Sequence, residues 1–130
     1  MVDQAQAELP NECCGILAGT IDTNGIARIT HRYPLVNALA SPTEYEWEAK
    51  SLFAAVRDMR QCGVEMLAIY HSHPTSAPVP SRKDRERYDE VRPVLGEVMH
   101  FIIGCARTPP EVRGWWLTSD ENHDTEWEVT

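Results

Sequence analysis

The segment Val64 to Tyr70 is a short, largely apolar run that leads without a break into His71-Ser72-His73-Pro74. A run of this length suits a buried strand, so both histidines fall on the strand or just past its end. Side chains two apart on a strand share a face, so both imidazoles can address the same point in space, and Ser72 faces the other way as structural support. Pro74 lacks a backbone N–H and ends regular pairing, and Pro78 and Pro80 stiffen the chain beyond it. The chain must therefore leave the sheet as a proline-rich loop directly after two potential ligands.

The loop gives way at Ser81-Arg82-Lys83-Asp84 to a helix start, with a serine at the cap position and an acid three residues later. This places Asp84 in a first helical turn. Two imidazole nitrogens, one carboxylate oxygen and a position left for water form the ligand set of a catalytic zinc site. Singly, each residue has a plainer reading: a polar strand end for either histidine, a capping box for Ser81 and Asp84. Jointly, His-x-His, ten residues and then Asp, set on strand, loop and helix start, predict a metal site at His71, His73 and Asp84.

A hydrolase built on such a site also needs a group to move protons to and from water and leaving group. Glu12 is the candidate, in Pro10-Asn11-Glu12-Cys13-Cys14-Gly15, just ahead of a small-residue apolar strand. By position alone, a glutamate there is as well explained as solvated surface.

Taken together, Pro10 to Gly15, Ile69-Tyr70-His71-Ser72-His73-Pro74, Ser81 and Asp84 resemble the JAMM (MPN-plus) metalloprotease family in its compact bacterial and archaeal form. The likeness extends over nearly the whole chain, including Asn37, Ser41-Pro42 and Tyr45. It implies Glu12 as general acid/base, His71, His73 and Asp84 as Zn2+ ligands, and Ser81 as a donor to the oxyanion of the tetrahedral intermediate. It further implies hydrolysis of an amide or isopeptide bond in a ubiquitin-like or sulfur-carrier protein ending in a Gly-Gly tail. A zinc-containing module that recognises such a tail without cutting it is the alternative. The insertions that serve polyubiquitin cleavage are absent, and the paired cysteines of a zinc deaminase do not follow Pro93, Pro109 or Pro110.

At 130 residues the chain is expected to form one domain, 1–130, with a single core. Its formal net charge of -8 argues against nucleic acid, which requires clustered Lys and Arg. Arg82, Lys83, Arg85 and Arg87 do cluster, but Asp84, Glu86, Asp89 and Glu90 alternate with them, as on a solvated helix face. Cys13, Cys14, Cys62 and Cys105 have neither CxxC spacing nor a framework pattern, so reduced thiols and a cytoplasmic setting are expected. No secretory leader pattern or bilayer-length apolar run is present, so no membrane partner is expected.

The coarse order reads as a helix over Asp3 to Leu9, strands over Cys14 to Thr20 and Ile26 to Tyr33 about an Asn24-Gly25 turn, and a strand over Tyr45 to Trp47. A helix over Glu48 to Cys62 comes after it, with Leu52, Phe53 and Val56 in the core and Gly63 as its stop. Strands over Val98 to Cys105 and Val112 to Thr118 come next, with Thr125 to Val129 at the sheet edge. Trp115, Trp116 and Trp127 are expected in packing and edge cover. The result is an α/β three-layer sandwich, a mixed sheet flanked by helices, of the MPN/JAMM and cytidine-deaminase-like kind.

Overall fold

A computed structural model of the chain describes residues 1–117 and 121–129. The elements run α1 (Val2–Ala7), β1 (Cys14–Ile21), β2 (Ala27–Leu35), α2 (Ala49–Cys62), β3 (Glu65–His73), α3 (Arg82–Leu95), β4 (Met99–Gly104), β5 (Glu111–Leu117) and β6 (Asn122–Thr125). The six strands form one sheet in the order β2-β1-β3-β4-β5-β6. Within it β3 and β4 run parallel, joined by the α3 crossover; the other neighbours are antiparallel. The histidine-bearing strand is therefore central.

Alternation along the strands divides the core between two faces. Ala5 of α1 packs with Cys13, Leu17, Tyr70, Phe101 and Ile103 on one face. On the other, Ala55 and Met59 of α2 pack with Cys14, Ile16 and Leu35, and Tyr88 of α3 packs with Ile69, Ile102 and Trp115. Helices thus cover both faces, as the expected three-layer α/β sandwich requires. Among the described residues no helix is long and apolar enough to cross a membrane.

In four places the local expectations differ from the structure or fall outside the described residues. Phe53 is 68% exposed, not core, because α2 turns its Leu52, Val56, Ala55 and Met59 stripe inward and Phe53 lies about 100° around the helix from Leu52. Tyr45 to Trp47 forms no strand, only an isolated bridge from Trp47 to Asn37. The Glu46 N–H goes to the Asn37 side chain, which also accepts from the Leu39 N–H and donates to the carbonyls of Glu12 and Glu44, while the Glu46 carbonyl accepts from the Ala38 N–H, so pairing with the 36–38 segment stays confined to this one bridge. The edge strand is Asn122–Thr125, earlier than Thr125 to Val129, since Asp124 pairs opposite Trp115 and binds Arg113. Trp127 leaves the ladder and packs edge-on against Phe101 at 5.5 Å. Thr118, the expected end of β5, lies outside the described residues.

The proline loop is pinned where β3 ends. Trp115 donates its indole N–H to the Pro78 carbonyl at 2.9 Å, and the Cys105 N–H reaches the His73 carbonyl at 2.9 Å. Gly104 is required beneath it, because a Cβ there would stand 2.5 Å from the Pro78 Cδ. The loop therefore lies directly over the end of β4.

Candidate metal centre

The β1–β3 register delivers the first part of the site. Cys14 is paired with His71, and the next residues continue the contact, Ser72 N–H donating to the Cys13 carbonyl and the Ser72 hydroxyl accepting from the Cys13 N–H. Extending this antiparallel register one step places Glu12 opposite His73, on the face that carries both imidazoles. Ser72 on the reverse face thus ties the Glu12 segment to the histidine strand, the support expected of it. Asn37 holds the Glu12 carbonyl from the other side at 3.1 Å.

The second part comes from α3. Ser81 caps the helix by accepting from the Asp84 N–H at 3.1 Å, while Asp84 Oδ2 accepts from the Ser81 N–H at 2.9 Å. This reciprocal box fixes the Asp84 carboxylate at the helix start, facing the strand end. Its Oδ1 is 3.1 Å from His71 Nε2 and its Oδ2 is 3.0 Å from His73 Nε2. The two Nε2 atoms are 3.2 Å apart.

These distances fit a shared cation. Tetrahedral zinc with bonds of about 2.0–2.1 Å to imidazole nitrogen separates two such nitrogens by about 3.3 Å. The chemistry of the donors agrees. His73 Nδ1 lies 2.8 Å from the Ala77 carbonyl, so Nδ1 carries the proton given to that oxygen, and Nε2 is left with a lone pair. That lone pair faces a carboxylate oxygen and a second imidazole nitrogen, an assembly of acceptors that a positive charge between them satisfies. His71 Nδ1 is buried and has no hydrogen-bond partner among the described residues.

Electrostatics follow from this crowding. Burial alone would raise the Asp84 pKa, but the charges and hydrogen bonds of His71 and His73 and the Ser81 N–H hold it well below the usual carboxylate range. Burial opposes protonation of His73, yet its bonds to Asp84 and to the Ala77 carbonyl outweigh this and raise its pKa. Glu12 is only 4% exposed, and its Oε1 is buried without a partner among the described residues. Burial therefore raises its pKa to about 7, moderated by the two histidines.

All five residues singled out from sequence are thus gathered at one end of the sheet: Glu12 beside β3, His71 and His73 on it, Ser81 and Asp84 at the start of α3. No cysteine joins the group among the described residues; Cys13 and Cys14 are buried free thiols whose pKa values burial raises to about 11 and 12. The sequence assigned no place at the site to Tyr45, part of the family likeness, or to Arg87, expected on a solvated helix face. Tyr45 stacks on His71 with ring centroids 4.8 Å apart, and the Arg87 guanidinium lies over the Tyr45 ring, 5.6 Å from its centroid. Arg87 is therefore turned toward the site, whereas Arg82 pairs along the helix with Glu86 at 2.8 Å as expected. The Ala77 carbonyl carries no side-chain signal at all.

A mixed-sheet α/β domain with His-x-His at a central strand end and an aspartate on the following helix defines a JAB-type domain. The chain belongs to the family described as prokaryotic homologs of the JAB domain, which matches residues 1–118. It is similar to a desampylase of Haloferax volcanii, 37% identical over 64% of this chain and 58% of that protein. It is also similar to a CysO-cysteine peptidase of Mycobacterium tuberculosis, 31% identical over 84% of this chain and 68% of that protein. The chain thus spans well under the full length of both relatives. A solved structure from Desulfitobacterium hafniense superposes with a TM-score of 0.76 at 30% identity, covering 97% of this chain and 83% of that one.

Proposed function

We propose that this chain is a zinc-dependent metallopeptidase that hydrolyses an amide or isopeptide bond at the C-terminal tail of a ubiquitin-like or sulfur-carrier protein. The observation that carries the reading is the convergence of His71 Nε2, His73 Nε2 and an Asp84 oxygen within 4.8 Å of one another. The relatives whose names are CysO-cysteine peptidase and probable TtuB-protein conjugate cleaving protease support the substrate class.

His71, His73 and Asp84 would hold the ion. When bound, a divalent cation supplies Lewis-acid activation of water and of the scissile carbonyl. Glu12 takes the proton of the attacking water on its carboxylate and passes it to the departing amine. Its pKa of about 7 suits a group that must both accept and give a proton near neutrality. Ser81 uses a lone pair to cap Asp84, which leaves its O–H free to donate to the oxyanion of the substrate carbonyl. Tyr45, stacked on His71, restrains the ring and helps exclude water from its buried side.

The test is incubation of the zinc-supplemented protein with a carrier protein bearing a C-terminal amino acid beyond Gly-Gly, read by mass spectrometry. A shortened carrier is the expected product, lost in Glu12→Gln. A carrier that is bound but unchanged would favour the non-cleaving module instead.

A further inference from the structure

Asp84 and Arg87 lie three residues apart on α3, so they share a helix face, and a long side chain on a helix reaches back over the turn before it. Both line a cavity of about 160 Å³ together with Tyr45. The guanidinium carbon of Arg87 stands 5.6 Å from the centre of the Tyr45 ring, and that ring stacks on His71 at 4.8 Å. One side chain therefore separates a permanent positive charge from a histidine of the metal centre.

The acids around this cavity are largely engaged with other groups. Glu86 is held by Arg82 at 2.8 Å and Glu44 by Lys83 at 3.5 Å, while Asp84 turns its oxygens to His71, His73 and the Ser81 N–H. Glu90 also lines the cavity but is exposed, and among the described residues the Arg87 guanidinium makes neither an ion pair nor a hydrogen bond. Arg87 is half-buried, so its five N–H donors are partly withdrawn from water with a ring face as their neighbour. A carboxylate meets such a planar fork with two oxygens at once.

The position of Glu12 selects which carboxylate that is. Burial holds the Tyr45 hydroxyl above its ordinary pKa range, with Asp84 and Glu12 adding to the effect and Arg87 opposing it, so all three charges bear on one phenol. The acid that hands its proton to the leaving amine and the guanidinium therefore flank the same side chain. In an α-amino acid the amine and the carboxylate are carried by one carbon, so Glu12 and Arg87 can serve them together. In a lysine isopeptide the amine ends a flexible four-carbon stem and has no carboxylate beside it.

We propose that Arg87 determines specificity by binding the α-carboxylate of the leaving residue, so that the bond cut is the peptide bond to a single C-terminal amino acid and not an isopeptide bond. This rests on the peptidase reading of the site and narrows its substrate. The C–N bond after the tail glycine breaks, the water oxygen stays on the glycine carbonyl carbon, and the proton passes through Glu12 to the amine. The product is a free amino acid whose carboxylate is held by Arg87.

The experiment reads binding and cleavage separately. Acetyl-Gly-Gly-Ala and its C-terminal carboxamide, which differ only in the end charge, are titrated by NMR into the full chain carrying Glu12→Gln, once with zinc and once with a chelator. The acid should bind at least about tenfold tighter than the carboxamide in both conditions, as charge-assisted hydrogen bonds imply. Adding Arg87→Gln should reduce that preference to about twofold or less, whereas Arg87→Lys, which keeps the charge and the packing over Tyr45, should retain most of it. In the zinc-supplemented chain with Glu12 intact, Arg87→Gln should slow alanine release from a carrier ending in Gly-Gly-Ala, with KM carrying most of the loss. Equal affinity for the two peptides would overturn the proposal, as would no binding of the acid at about 10 mM. So would an acid preference that survives Arg87→Gln, the outcome if the ion takes the carboxylate, or equal weakening of both peptides, the outcome if Arg87 meets another part of the tail. An acid preference that depends on Arg87 without any shortened carrier would leave the carboxylate site standing and remove the peptidase reading. Cleavage of alanine-ended and isopeptide-linked carriers alike, indifferent to Arg87, would do the reverse.

Discussion

Replacing Glu12 by Gln should flatten the pH dependence of stability in the metal-free protein. The Glu12 pKa is raised from 4.5 in the unfolded reference to about 7 in the fold, chiefly by burial. Between those values the native state holds a proton that the unfolded chain has released, so stability falls as pH rises and reaches its lower level above about 7. From pH 5.5 to 8 the linkage amounts to about 2 kcal/mol at most, at about 1.36 kcal/mol per pKa unit. Solvent screening at the site reduces the expected value to about 1 kcal/mol. Gln keeps the shape and removes the charge. Urea unfolding at both pH values in the presence of a chelator should show wild type losing about 1 kcal/mol more than the variant, a midpoint difference of about 0.5–1 M for a chain of this size. Added zinc should shrink the difference, since a nearby cation favours the carboxylate. Parallel losses in the two proteins would refute the argument that Glu12 is a strained, buried acid.

Asp84→Asn should lower zinc loading by at least about tenfold in a dialysis and metal-analysis measurement, because it removes the negative charge of the carboxylate whose Oδ1 faces His71 Nε2 and whose Oδ2 faces His73 Nε2. Ser81→Ala should cost about 1 kcal/mol of thermal stability through loss of the α3 cap and also reduce turnover. Ser81→Asp, which can accept from the Asp84 N–H but cannot donate, should restore the stability without the turnover, and recovery of both would show that the cap alone matters. Gly104→Ala should destabilise the fold by about 1–3 kcal/mol and weaken zinc loading, as its Cβ displaces Pro78 and the loop that presents Ala77 to His73; unchanged loading, checked on the same samples, would separate loop from site.

Where chemistry depends on neighbours in the chain, the sequence was legible. His71 and His73 share a face because a strand repeats every two residues, and Asp84 follows Ser81 by the spacing of a capping box. Both periodicities are local, so the three ligand candidates, the capped helix and the α2 boundary at Gly63 could be read without coordinates. The family likeness then drew Glu12 into the set, a step its own surroundings in the chain could not support.

Tertiary structure alone decided the contacts between segments distant in sequence. The β1–β3 register seats Glu12 opposite His73 and buries it, and so sets its pKa. Chain folding, not spacing, brings Tyr45 onto His71, turns Arg87 toward Tyr45 and aims the Ala77 carbonyl at the His73 ring. The same holds for Phe53, whose exposure follows from which helical stripe meets the sheet. Periodicity specifies which face a side chain takes; only the packing of one element on another specifies what that face meets.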